Sequence, residues 1–163
     1  MKRLFCLFAA VLMLSSVLAG CKDPVQEQTV ACQELTLILP SDYVNQINEP
    51  FAEDLDFLYG HGTEAVLAFK QERAPLEEVF PELNAETFAQ MFLQKAGLDV
   101  EVKADENLVT FTYAAEADGT GVTYLSGVYM TEQNFWIVQF YCPTENFSSR
   151  QADFLRYLAA ITH

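Results

Sequence analysis

The stretch Asn134-Phe-Trp-Ile-Val-Gln-Phe-Tyr-Cys142 constrains the fold more than any other part of the chain. In an extended strand, successive side chains point to opposite faces. Trp136, Val138 and Phe140 then fall on one side with Cys142, and Phe135, Ile137 and Tyr141 on the other. Both sides are apolar, so a strand over 135–142 has to be covered twice. The pattern predicts a central strand between two layers, ended by Pro143.

The other elements follow from their periods. Residues 34–39, Glu-Leu-Thr-Leu-Ile-Leu, read as a strand stopped by Pro40, with turn chemistry in Ser41 and Asp42. Over 54–59, Leu55, Phe57 and Tyr59 share a face and Asp54 and Asp56 point away. Gly60-His61-Gly62 then turns the chain into a third strand, 64–71. Residues 98–103 alternate apolar and charged without exception, which predicts a half-buried strand. Val109, Phe111 and Tyr113 begin another, joined through 117–121 to a strand over 122–130 in the manner of a hairpin. Helical period occurs twice. Asn84 can cap a helix carrying Phe88, Met91, Phe92 and Ala96 on one side and ending at Gly97. Ser148 and Gln151 form a capping-box pattern ahead of Phe154, Leu155, Leu158 and Ile161. The expected class is α+β: an antiparallel sheet of about six to seven strands flanked by helices.

The first residues read as a targeting segment. Lys2 and Arg3 precede an apolar run from Leu4 to Leu14 that breaks at Ser15-Ser16. The run falls short of the roughly 20 residues a membrane span needs, so 1–20 is expected to be a secretory signal. Leu18-Ala19-Gly20-Cys21 resembles the bacterial lipobox. The resemblance implies a thioether-linked diacylglycerol on Cys21 and cleavage just before it; an ordinary secretory signal with a chance cysteine at its end, or an uncleaved helix, is the alternative. One acyl chain binds a membrane marginally, and a second or third makes attachment durable. The protein is then expected to be lipid-anchored in the cell membrane, facing outside the cytoplasm. Residues 21–31, polar and without period, are expected to form a flexible lipidated tether reaching about 20 Å. Residues 32–163 are expected to form a single globular domain.

Composition narrows the partners. The net charge is −14. Removing Lys2 and Arg3 with the signal leaves 7 basic against 23 acidic residues, or −16. Nucleic acid needs Lys and Arg for counterion release and is excluded as a partner class. Adhesion to anionic lipid is disfavoured for the same reason, leaving the acyl group as the membrane contact. With Cys6 removed and Cys21 lipidated, Cys32 and Cys142 remain. An even pair in an exported chain suggests a disulfide, closing a loop of about 110 residues for about 4 kcal/mol. Two buried free thiols are the other reading.

In chain order, "LTLILP", "VLAFKQE", "ETFAQMFLQKAG", the hairpins and "NFWIVQFYCP" before an amphipathic C-terminal helix resemble the PsbP-like fold. This is an α-β-α sandwich that DcrB-type bacterial lipoproteins share. The resemblance implies that fold and an accessory or binding role rather than catalysis.

Residue chemistry leads the same way. His163 is the last residue and His61 lies between two glycines. No nucleophile elbow, zinc-protease or phosphate-loop motif occurs. Acidic pairs at Asp54/Asp56, Asp99/Glu101 and Asp105/Glu106 are spread along the chain, without calcium-loop spacing. A zinc site would need Cys32, Cys142 and His61 together. No catalytic residue, cofactor or metal is expected. The abundant aromatics read first as core, with a ligand groove as the sharper alternative in which Tyr43, Tyr59, Tyr124 and Tyr129 supply polar tips. His61, Tyr43 and Tyr59 are the candidate ligand contacts. The expected role is non-enzymatic binding of a protein or small ligand near the membrane. A small-molecule carrier serving a transporter, and a hydrolase using His61, are the rivals.

Overall fold

The computed structural model describes residues 26–163, apart from Glu106 and Asp118. The signal segment and Cys21 lie outside the described residues. In chain order the elements are β1 (Glu27–Cys32), β2 (Leu35–Pro40), β3 (Val44–Asn45), a 3-10 turn (Pro50–Ala52), β4 (Phe57–His61) and β5 (Glu64–Glu72). Then come α1 (Arg73–Glu77), α2 (Ala85–Ala96), β6 (Val102–Ala104), β7 (Val109–Ala117), β8 (Thr120–Met130), β9 (Asn134–Pro143) and α3 (Thr144–Ala159).

β9 lies in the middle of a seven-stranded sheet of order β3-β4-β5-β9-β8-β7-β6, antiparallel at every pairing. Its two apolar faces do what the alternation predicts. Trp136, Val138, Phe140 and Cys142 enter one core, shared with Phe154 and Leu158 of α3 and with Leu35, Leu37 and Leu39 of β2. Phe135 and Ile137 enter a second core with Phe88, Ala89 and Leu93 of α2. The fold is α+β, a sheet covered on both sides. Gly127 on β8 permits the close seat of α3: a Cβ there would stand 2.6 Å from the Tyr129 hydroxyl, which donates to Leu158 O at 2.8 Å. Among the described residues no helix is long and apolar enough to cross a membrane.

Five expectations need correction. Residues 27–31, expected in the flexible tether, form β1 and pair with β2 from Glu27↔Pro40 to Cys32↔Leu35. Every second residue of β1 turns inward, but the first inward slot is Gln28, whose amide donates to Pro40 O at 3.0 Å and Tyr43 O at 2.6 Å. A polar side chain in an inward slot concealed the period. The strand expected from 54 starts at Phe57. The 3-10 turn carries on through Leu55 N–H to Ala52 O, so Leu55 packs with Leu58 rather than beside Phe57.

Over 98–103 the alternation holds for burial but not for pairing: only Val102–Ala104 meets β7. Leu98 N–H donates to Leu93 O, which ties the chain under the end of α2 before it reaches the sheet edge. The last helix starts at Thr144, immediately after Pro143, so Ser148 and Gln151 lie inside it and cap nothing. On that helix Tyr157 takes the buried position expected for Leu155, which is exposed. Helix α2 follows the expected limits. Asn84 and Thr87 cap it reciprocally and Gly97 closes it at φ 69°. Its buried side is Phe88, Ala89 and Leu93, with Ala96 in solvent.

The two faces are covered unequally. Helix α3 and the β1–β2 hairpin share the first. The second has α2, packed on β6, β7 and β8, and at the β4–β5 end the 3-10 turn, whose Ala52 packs with Leu55, Leu58 and Ala65. Twelve residues of helix span about 18 Å with a diameter of about 10 Å, whereas seven strands spread over roughly 29 Å. The helix and the turn together do not roof that width, and between α2 and β5 a hollow lined by Phe69, Leu76, Phe88 and Phe92 stays open.

Candidate functional site

The open margin is built by the connection from β5 to α2. Helix α1 is short, and Phe80 N–H donates to Leu76 O at 2.8 Å, closing one further turn. Pro81 lacks the N–H to continue it. Leu83 N–H then donates to Phe80 O at 3.1 Å and leads into the Asn84 cap. This path turns Leu76 and Leu83 toward the core and leaves Val79 and Phe80 outside, 67% and 46% exposed. Large apolar side chains in adjacent exposed positions mark interaction surfaces more often than single ones do.

Two hollows flank α2 and meet at Met91. One, of about 520 Å³, is walled by Val79, Phe80, Pro81, Leu83 and Met91. The other, of about 460 Å³, runs between α2 and β5 over Phe69, Leu76, Phe88, Phe92 and Phe135. Its floor is aromatic, with Phe88 stacked on Phe135 at 4.5 Å and Phe69 tilted against Phe92 at 5.6 Å. Together they make a largely apolar groove, with Glu82 lining the first hollow and Lys70 and Lys95 lining the second.

Residues 74–94 contain Glu77, Glu78, Glu82 and Glu86 and no lysine or arginine. Arg73 holds Glu77. Glu78, Glu82 and Glu86 are exposed and without an ion pair among the described residues. Exposed Lys95 stands at the far end, in the last turn of α2.

Other polar clusters are satisfied within the protein. Glu34 Oε2 accepts from Asn134 Nδ2 at 2.6 Å, Thr131 Oγ1 at 2.9 Å and Trp136 Nε1 at 3.0 Å. Burial alone raises the Glu34 pKa, but the bonds from Trp136, Asn134 and Thr131 outweigh it and hold the carboxyl below the usual glutamate value. Glu64 Oε2 accepts from the Tyr43 hydroxyl at 3.1 Å and from Arg150 at 2.8 and 3.0 Å. Tyr113, Tyr124 and Tyr141 form a row across β7, β8 and β9, with centroids 4.8 and 5.2 Å apart. Their ring faces are turned to one another rather than outward.

The three ligand-contact candidates gather at the β3–β4–β5 corner, but not around a cavity. Tyr43 is buried and its hydroxyl is used by Glu64; burial, with that carboxylate, pushes its pKa up. Tyr59 stacks on Phe57 at 4.7 Å, and its oxygen accepts from Asn45 at 3.4 Å. His61 ends β4 in solvent, with Nδ1 3.8 Å from Asp42 Oδ2. Tyr129 is likewise committed internally, to Leu158 O.

Cys32 and Cys142 are buried free thiols, and the expected bridge is not formed. The register gives the reason. Cys32 Sγ lies 4.0 Å from Asp56 O, and Asp56 N–H donates to Ala68 O, which pairs with Val138. Cys142 is four residues further along β9, roughly 13 Å, whereas bridged cysteines hold their Cα atoms within about 7 Å. Burial, reinforced by Asp56, raises the Cys32 thiol to about 11, and burial also raises Cys142. A raised thiol pKa lowers the thiolate fraction that a nucleophile needs at neutral pH. The same separation keeps Cys32 from joining Cys142 and His61 around a zinc ion, and no metal-holding group of side chains occurs among the described residues.

Sequence reasoning missed Val79 and Phe80. The available signal was two large apolar residues between Glu78 and Pro81, outside any helical or strand period.

No family model and no curated protein matches the chain. Solved structures do. The solution structure of cyanobacterial PsbP (CyanoP) from Synechocystis sp. PCC 6803 superposes with a TM-score of 0.61 at 9% identity, over 88% of this chain and 95% of that one. A crystal structure of a protein from Bacteroides thetaiotaomicron VPI-5482 gives 0.54 at 13% identity, over 84% of this chain and 47% of that one. This chain therefore spans about half of the second protein. At these identities the likeness establishes a common fold, the PsbP-like one.

Proposed function

We propose that this chain is a lipid-anchored extracytoplasmic binding protein that holds a protein partner on the apolar groove over α2. The observation that carries the reading is the exposed Val79–Phe80 pair beside a phenylalanine floor that stays open between α2 and β5. A surface of this kind gains by being covered, at about 25 cal/mol for each Å² of apolar area removed from water. Grooves of this make-up receive amphipathic segments. The anchor rests on Lys2, Arg3, the apolar run and Leu18-Ala19-Gly20-Cys21. Because β1 begins at Glu27, only residues 22–26 would separate an acylated Cys21 from the folded body. The groove would then work close to the lipid surface.

Chemical cross-linking in native membranes, followed by recovery of the protein, tests the binding reading. A reproducible covalent companion, together with a diacylglyceryl mass on Cys21, is the expected result. Recovery of the bare chain alone overturns the binding reading, and an unmodified Cys21 overturns the anchor.

A further inference from the structure

Charge at the groove narrows what it can hold. Taking the α2 groove as the binding surface proposed above, we infer that its occupant is a cationic amphipathic segment of the partner protein. Such a segment would dock apolar side chains against Phe80, Leu83 and Met91 and set lysines or arginines against Glu78, Glu82 and Glu86.

The reasoning runs by charge and by exclusion. Glu82 itself lines the hollow beside Val79 and Phe80, and Glu78 is the next residue on the other side of that pair. Glu86 lies in the first turn of α2. No basic residue between 74 and 94 offsets them. A second copy of this chain, related by a two-fold axis, would set only Lys95 against Glu78, Glu82 and Glu86 and leave most of their charge uncompensated. An anionic bilayer is repelled by the same carboxylates, and Val79 and Phe80 cannot enter any bilayer without drawing Glu78 and Glu82 toward it. A basic amphipathic segment satisfies both demands at once, since its apolar stripe fills the groove while its charged flank neutralises the rim. Direction follows as well. Lys70, itself paired with Asp56, and Lys95 line the hollow beside β5 and favour a neutral or acidic end there, so the basic flank lies over residues 78–86.

The test uses the native protein isolated from cells and two short peptides carrying benzoylphenylalanine, with leucines at helical spacing. One has lysine at every polar position and the other glutamate. After irradiation, the site of attachment is mapped by mass spectrometry. The lysine peptide is expected to label residues 79–91 and the glutamate peptide to leave them unlabelled. Glu78→Gln, Glu82→Gln and Glu86→Gln combined should cut labelling about tenfold without moving the unfolding transition. Equal labelling by both peptides at 79–91 would overturn the charge inference and leave the groove as a binding surface. Labelling of those residues by neither peptide would overturn both.

Discussion

Glu34→Ala is expected to lower the unfolding free energy by about 2 kcal/mol, because hydrogen bonds to a charged acceptor contribute about 1.5–3 kcal/mol and water can reach only part of the vacated position. One oxygen of this carboxylate collects the Trp136 indole N–H, the Asn134 amide and the Thr131 hydroxyl. Trp136 is wholly buried in the principal core, and Thr131 and Asn134 are nearly so. Deleting the acceptor leaves the indole N–H to water from the open hollow that Glu34, Arg73, Thr131 and His163 line. Glu34→Gln keeps an acceptor and should cost less. The sign with pH follows from the depressed Glu34 pKa. The charged form is the one the fold prefers, so its stabilisation is present above the unfolded value of about 4.3. It is lost as the pH falls through the depressed folded value. Urea titrations of wild type and Glu34→Gln should therefore differ most near neutrality and converge on acidification. A constant gap down to low pH would contradict this account of the socket.

That socket was invisible in the sequence, and the reason is instructive. Glu34 lies some hundred residues from its donors, and nothing in a single chain marks which glutamate a remote tryptophan will meet. What the sequence does carry is period. Residues 135–142 declare two buried faces, and the helix between Asn84 and Gly97 declares both its ends. Those elements lie where the pattern places them because burial and capping are local demands. Errors arise where a local pattern has two physical solutions. Residues 98–103 alternate equally well as a paired strand or as an extended arm under a helix, and the bond from Leu98 to Leu93 selects the arm. Ser148 and Gln151 satisfy a capping pattern, yet Pro143 has already ended the strand and the helix starts at once. The cysteine pair fails for a third reason. Parity counts thiols, whereas a bridge needs them at one level of the sheet. The groove was the hardest part to read, since it forms only where the 79–83 connection, α2 and β5 come side by side.

Phe80→Asp is expected to reduce recovery of the cross-linked partner at least about tenfold, the scale of an aromatic anchor removed from an interface. The fold should tolerate it. Phe80 is 46% exposed, and surface substitutions usually stay within about 0.5 kcal/mol. Phe80→Tyr keeps the ring and should keep most of the adduct, which separates a lost anchor from a disturbed loop. A carboxylate at position 80 would also enlarge the acidic rim formed by Glu78 and Glu82. If that rim draws a basic segment, added charge cannot compensate for the lost ring, because the apolar floor supplies the binding energy and the rim its selectivity.

The most direct measurement places benzoylphenylalanine at position 80 in living cells and, as its counterpart, at position 155 on α3. Leu155 is also apolar and 37% exposed, but it belongs to the helix that covers the opposite side of the sheet. The account predicts one discrete adduct from position 80 on irradiation and none from position 155. No adduct from position 80, or the same adduct in equal yield from both positions, would contradict it.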